Sequence, residues 1–154
     1  MSFDYAFIGM GCANSLILME LHSRDMLTNK RIVIYEPAQK VANDRTFCFW
    51  LEPDKLKALA LDQLVTHSWS SVKINALEAQ SLAGKNYYYL RSDAFYTHTR
   101  NLLRDFDVTW KEQQIDVYPE QLGAIVFDSR PPLFEKQNRQ DVRLEQSFYG
   151  WLVQ

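Results

Sequence analysis

The chain has 154 residues, with 17 Lys and Arg against 19 Asp and Glu and a net charge of −2. That length suffices for one domain with a buried core, and the charge gives no electrostatic case for a nucleic-acid partner. Cys12 and Cys48 form no C-x-x-C pair, so a reducing compartment is expected rather than a disulfide framework.

No basic region precedes the first apolar run, and the longest nearly apolar stretch, Leu16 to Leu21, is too short to cross a bilayer. The expectation is a cytoplasmic protein, with peripheral contact at the inner face of the membrane left open. His22, His67 and His98 lack metal-ligand spacing, so no metal site is expected.

In chain order, Tyr5 to Ile8 reads as a short buried strand, Gly9 and Gly11 as a tight turn, and about Cys12 to Met26 as a helix. Strand, glycine turn and helix present backbone N–H groups and a positive dipole end to a pyrophosphate. Gly9 allows the turn, and Gly11, lacking Cβ, lets the backbone approach the phosphates. The third position of G-x-G-x-x-G is Asn14, so the fingerprint is incomplete. A second apolar strand, Arg31 to Tyr35, ends at Glu36, about 20 residues on, where a carboxylate usually binds a ribose hydroxyl. An acid there favours an unphosphorylated adenosine ribose, and the pattern reads as a dinucleotide site for FAD. Cys12, at the helix start, has a position where a thiol pKa can fall; packing of a small residue in a tight turn is the competing explanation.

Pro37 ends the second strand, and residues 38 to 52 read as a loop. It contains Phe47, Phe49 and Trp50, either as a strand face packed into the core, which the spacing alone favours, or as a wall for a flat or long apolar ligand with Arg45 beside it. Pro53 to Leu61 reads as a short helix with Leu56, Leu59 and Ala60 on one face, and His67 to Ile74 and Tyr87 to Leu90 as strands of an excursion over 63–91. A helix from Ser92, as N-cap, to about Arg104 turns Phe95, Thr99, Leu102 and Leu103 to one side. Arg91 precedes it, as a surface charge or a cofactor partner.

Val108 to Trp110, Gln114 to Tyr118 and Gly123 to Asp128 read as three short strands. The last has the form of a buried parallel strand with a polar carboxyl end. Residues 135–145 read as a solvated connection, and Gln146 to Val153 as a β-prone aromatic run at which the sequence looks cut off. The fold class expected is α/β: a Rossmann-like FAD/NAD(P)-binding domain over 1–134, with a parallel sheet and additional β strands. Residues 135–154 would connect to, and begin, a truncated substrate domain.

Four motifs, Gly9-x-Gly11-x-Ala13-Asn14, Asn43 to Trp50, Phe127 to Pro132 and Gln146 to Trp151, resemble those of bacterial lycopene β-cyclases. Asn14 in place of the third glycine is typical of that family. The resemblance implies a flavoprotein that uses reduced FAD, with NAD(P)H as possible reductant. The reaction it implies is a non-redox closure of lycopene ends to β-ionone rings at the membrane surface. It implies that Gly9, Gly11, Ala13 and Asn14 meet the FAD pyrophosphate and Glu36 the adenosine ribose. Arg45, Arg91 and Asp128 would lie near the cofactor, and Phe47, Phe49 and Trp50 would line the flavin or polyene side. The family's acidic motif and later flavin motif would fall after Gln154, so no catalytic acid is assigned and a fragment is expected. A flavin-dependent oxidoreductase or monooxygenase, and a non-catalytic nucleotide-binding module, are the alternatives.

Overall fold

The structure, a computed structural model, describes residues 3–75, 77–116 and 125–130. The expected strands at 146–153 and 117–118 and the connection at 135–145 lie outside them. The elements are β1 (Tyr5–Ile8), α1 (Cys12–Ser23), β2 (Ile32–Tyr35), β3 (Thr46–Leu51), α2 (Pro53–Ala58), β4 (Val65–Trp69), β5 (Ser71–Val72), β6 (Gln80–Ser81), β7 (Asn86–Arg91), α3 (Ser92–Leu102), β8 (Val108–Lys111) and β9 (Ile125–Asp128).

β1 and β2 are buried along their whole length, as their uninterrupted apolar sequences require when both sheet faces are covered. They form the centre of a four-stranded parallel sheet in the order β8-β2-β1-β9. Alternate residues split between the faces. Tyr5, Phe7, Ile32 and Ile34 pack with Leu18 of α1, Leu27 and Leu103; Ala6, Ile8, Val33 and Tyr35 pack with Ile115. The stretch around Gln114 is therefore a packed loop among the described residues, not a strand.

Residues 38–52 are not wholly loop. β3, β7 and β4 form an antiparallel sheet in the order β3-β7-β4, so the excursion begins before residue 63. Exposure alternates along β3. Phe47 packs edge-on to Phe95 and Tyr96, and Phe49 lies against Tyr88. Trp50 is 51% exposed and lies beside Tyr87 on the other face. The three aromatics thus do not share one surface: two help build a core and the third does not.

α1 and α2 each stop three residues before the periodicity predicts. In α1, Asp25 takes φ 56°, and the N–H groups of Asp25 and Met26 donate to the carbonyls of His22 and Leu21. In α2, Ala60 takes φ 52° and Leu61 N–H donates to Leu56 O. Both are left-handed C-terminal stops, made here without the glycine that would have marked them. In consequence Leu59 and Ala60 are exposed, whereas Leu56 and Leu61 are buried. Leu16 is also exposed, so α1 is less enclosed than its all-round apolar sequence predicts. β9 is parallel to β1, as expected, but Ile125 and Val126 are exposed and only Phe127 turns inward, stacking on Phe7 at 4.7 Å.

Candidate dinucleotide site

Counted along the chain, the parallel strands lie in the order 3-2-1-4, so the direction of winding reverses between β1 and β9. Crevices at such reversals, outside the carboxyl ends of the strands, are where open α/β sheets take ligands. A cavity of about 900 Å³ opens there, lined among others by Gly9, Gly11, Cys12, Glu36, Lys40, Arg45, Phe47, Tyr96, Asp128, Ser129 and Arg130.

The two glycines do different work. Gly9 has φ +79°, and a Cβ on it would sit 2.8 Å from Ser129 Oγ; the turn itself needs glycine there. Gly11, the N-cap of α1, has an ordinary φ of −78°, and a Cβ on it would meet nothing closer than Ser129 Oγ at 3.7 Å. The fold does not require glycine at 11, and its missing side chain leaves that side of the cavity open. Among the described residues no side chain caps α1 and its first turn holds no acid; Gly11 and Cys12, at its start, line the cavity.

Glu36 reaches back from the end of β2. Its Oε2 accepts the Met10 N–H at 2.5 Å and its Oε1 lies 3.6 Å from Lys40 Nζ. Arg45 reaches the cavity because its loop is fastened to the start of α3. Ser92 N–H donates to Asn43 Oδ1 at 2.9 Å, and Arg45 N–H donates to Ser92 Oγ at 3.1 Å. Asn43 thus caps α3 from a distance, and Ser92, expected as the N-cap, is its first helical residue with Arg91 as the cap.

The other expected site residues are placed as follows. Ala13 is exposed on the first turn of α1 and does not line the cavity. Asn14 is 2% exposed and turned inward. Its Nδ2 lies 2.6 Å from the carbonyl of Gly9, 3.1 Å from that of Ile8 and 3.3 Å from that of Phe127, so its side chain is engaged by these carbonyls rather than presented to the cavity. Asp128 lines the cavity and holds Arg130 through Nε at 3.0 Å and Nη2 at 2.8 Å; Arg130 Nη1 donates to Ile115 O.

Arg91 lies outside the cavity, paired with Asp93 through two hydrogen bonds of 3.0 and 2.6 Å. The Arg91 hydrogen bond holds the Asp93 carboxyl below the usual carboxylate range. Arg91→Ala is therefore expected to change FAD affinity by less than about twofold, as for a surface change remote from a site, measured by flavin titration.

Burial pushes the Cys12 thiol up from its ordinary range rather than down, because desolvation opposes the thiolate. Exposed Cys48 is expected to alkylate first, with Cys12 labelling rising only at higher pH, as read by peptide mass spectrometry. Lys40, Tyr96, Ser129 and Arg130 were not expected at the site. For Ser129 and Arg130 the signal was their place just after a strand that ends beside β1.

Sheet order, glycine turn and terminal acid make this a Rossmann-like α/β domain. The family model described as lycopene cyclase protein matches residues 4–154, and the chain belongs to that family. A search of curated proteins gave no match. Similar solved structures include the peptidyl tryptophan dihydroxylase QhpG, essential for tryptophylquinone cofactor biogenesis, at 13% identity over 73% of this chain and 25% of that one, TM-score 0.42. A mutant of MHPCO matches at 16% identity over 71% of this chain and 32% of the other, TM-score 0.47. A mutant of 2-methyl-3-hydroxypyridine-5-carboxylic acid oxygenase matches with the same identity and coverage, TM-score 0.46. The chain spans 25–32% of the length of these proteins.

Proposed function

We propose that this chain supplies the nucleotide half of the FAD site of a lycopene β-cyclase. The single observation that carries the site is convergence: the uncapped start of α1, the Glu36 carboxylate and the carboxyl end of β9 all border one cavity. The residues fit the ADP portion of FAD. Gly11 leaves space where a Cβ would stand, and the N–H groups of the first turn are suited to diphosphate oxygens. Glu36 offers an acceptor for a ribose hydroxyl, and Arg45 and Lys40 supply positive charge.

When bound in its reduced form, FAD supplies an electron-rich ring system beside a polyene that becomes cationic as its end is protonated and closes. NAD(P)H is the proposed reductant. The chain's own part is to bind and orient the cofactor: Glu36 is held by Met10 N–H, Arg45 by the Asn43–Ser92 fastening, and Phe47 and Tyr96 wall the cavity. No catalytic acid is assigned, although protonation of an alkene needs one. Lycopene as substrate and peripheral membrane contact belong to the proposal.

The test is the absorption spectrum of the purified chain after FAD is added and the excess removed. A protein-bound flavin spectrum that is lost in Glu36→Arg is the expected result. A folded chain that retains no flavin, or that retains it equally well in Glu36→Arg, would sink the proposal. Substrate-dependent consumption of NAD(P)H in a longer form of the protein would favour the oxidoreductase alternative instead.

A further inference from the structure

The peptide joining Gly9 to Met10 is gripped at both ends. Its carbonyl, on Gly9, accepts from Asn14 Nδ2 at 2.6 Å and from Ser129 Oγ at 3.4 Å. Its N–H, on Met10, donates to Glu36 Oε2. Because the peptide is planar and trans, its C=O and N–H point in opposite directions and turn together. Rotating the carbonyl away from Asn14 and Ser129 would swing the N–H off Glu36.

The two gripping side chains come from distant parts of the chain. Asn14 is in the first turn of α1, and Ser129 follows β9. Both also reach Ile8 O, at 3.1 and 3.2 Å, so the two Asn14 amide protons and the one Ser129 hydroxyl proton are shared among these carbonyls; Ser129 N–H donates to Ile8 O at 3.0 Å. Asn14 Nδ2 further reaches Phe127 O at 3.3 Å. Three carbonyl oxygens around one amide group identify that group as the NH₂, since the amide oxygen could accept from none of them. At 2% exposure, Asn14 has no water to replace these partners.

We propose that Asn14 and Ser129 are positioning residues which, acting through the Gly9–Met10 peptide, set the orientation of the Glu36 carboxylate. The side chain at position 14 thereby couples the diphosphate end of the site to the ribose end without touching either. A glycine there serves close packing of helix on strand; the asparagine occupies the same position and adds a clasp. The proposal rests on the FAD reading only for what Glu36 then binds; the clasp itself is a property of the chain alone.

Amide hydrogen exchange separates the two. In the 154-residue chain, Asn14→Ala is expected to speed exchange at Met10 by about 2- to 10-fold, the worth of one hydrogen bond, and Ser129→Ala to speed it in the same direction by a smaller factor. The amides of Val33 and Ile34 in β2 should stay protected. Glu36→Gln serves as the reference for a weakened Met10 bond. Should Asn14→Ala fail to fold, Ser129→Ala, altered at a half-buried position, decides the matter alone. Unchanged Met10 exchange in Ser129→Ala would overturn the proposal, and so would loss of protection spread equally through β2. In the same samples FAD titration of the unaltered chain tests the functional reading. If it binds, the two alanine variants should bind more weakly. If it does not, that reading fails while the exchange data still decide the clasp.

Discussion

Gly11→Ala is expected to fold and to lose bound flavin, whereas Gly9→Ala is expected to lose stability. At Gly11 the backbone already has a conformation open to any residue, and an added Cβ meets Ser129 Oγ only at an ordinary contact distance. Alanine is a poorer N-cap than glycine, by about 1 kcal/mol or less. The methyl group would, however, stand in the cavity where a diphosphate approaches the α1 N–H groups. Each charge-assisted hydrogen bond lost there is worth about 1.5–3 kcal/mol, so affinity should fall by roughly 10- to 100-fold or more. At Gly9 the left-handed φ alone costs a non-glycine residue about 1–3 kcal/mol. The 2.8 Å approach to Ser129 Oγ further forces that hydroxyl off the Ile8 and Gly9 carbonyls. Urea unfolding and flavin titration of both variants give the comparison. Equal flavin affinity in Gly11→Ala and the parent chain would mean that the diphosphate does not lie over α1.

Phe7→Ala is expected to cost about 3–5 kcal/mol, the range for emptying a buried aromatic site. Phe7 has no exposed surface, lies mid-strand in β1 and stacks on Phe127 of β9. It shares a cluster with Leu18, Leu27, Ile34 and Leu103. Those neighbours come from α1, the connection between α1 and β2, β2 itself and the turn after α3, so no single element can relax into the space. A domain's whole stability is about 5–15 kcal/mol, so the change removes a large share of it and should lower the unfolding midpoint markedly. Trp50→Ala makes the contrast. Its ring is half exposed and its partner is a cross-strand Tyr87, a pair worth about 0.2–1 kcal/mol. Thermal melts that ranked Trp50→Ala as the more damaging change would contradict this assignment of the core.

The glycine-turn end of the parallel sheet was legible because its signals are local. Tyr5 to Ile8 and Ile32 to Tyr35 are apolar without a break, Gly9 sits where the turn needs a left-handed residue, and Glu36 follows β2 directly. The inward turn of the Asn14 side chain was not legible because the fingerprint describes backbone geometry and says nothing of where a larger side chain points; two of its carbonyl partners, on Ile8 and Gly9, are local, and β9 adds the third, on Phe127. Helix ends at Asp25 and Ala60 were missed because these residues adopt a left-handed conformation normally announced by glycine or asparagine. The aromatics of β3 divide between two faces for the period-two reason that governs every strand. The core-packed strand face that the spacing favoured holds for Phe47 and Phe49, and adding Trp50 to the same face ignored that period. Arg91 resembled a cofactor ligand by position, but Asp93, two residues on, lies nearer to its guanidinium than the cavity does.

The pairing of Tyr5 with both Ile32 and Ile125 has a kinetic meaning. The first pairing closes a short stretch of chain; the second brings together segments that nearly span the described sequence. Non-local contacts of that kind form slowly, because the entropy of closing the loop is lost before the contact rewards it. During synthesis the glycine turn, α1 and Glu36 emerge before Ser129, so the bank of the crevice that Ser129 supplies is expected to form after the other.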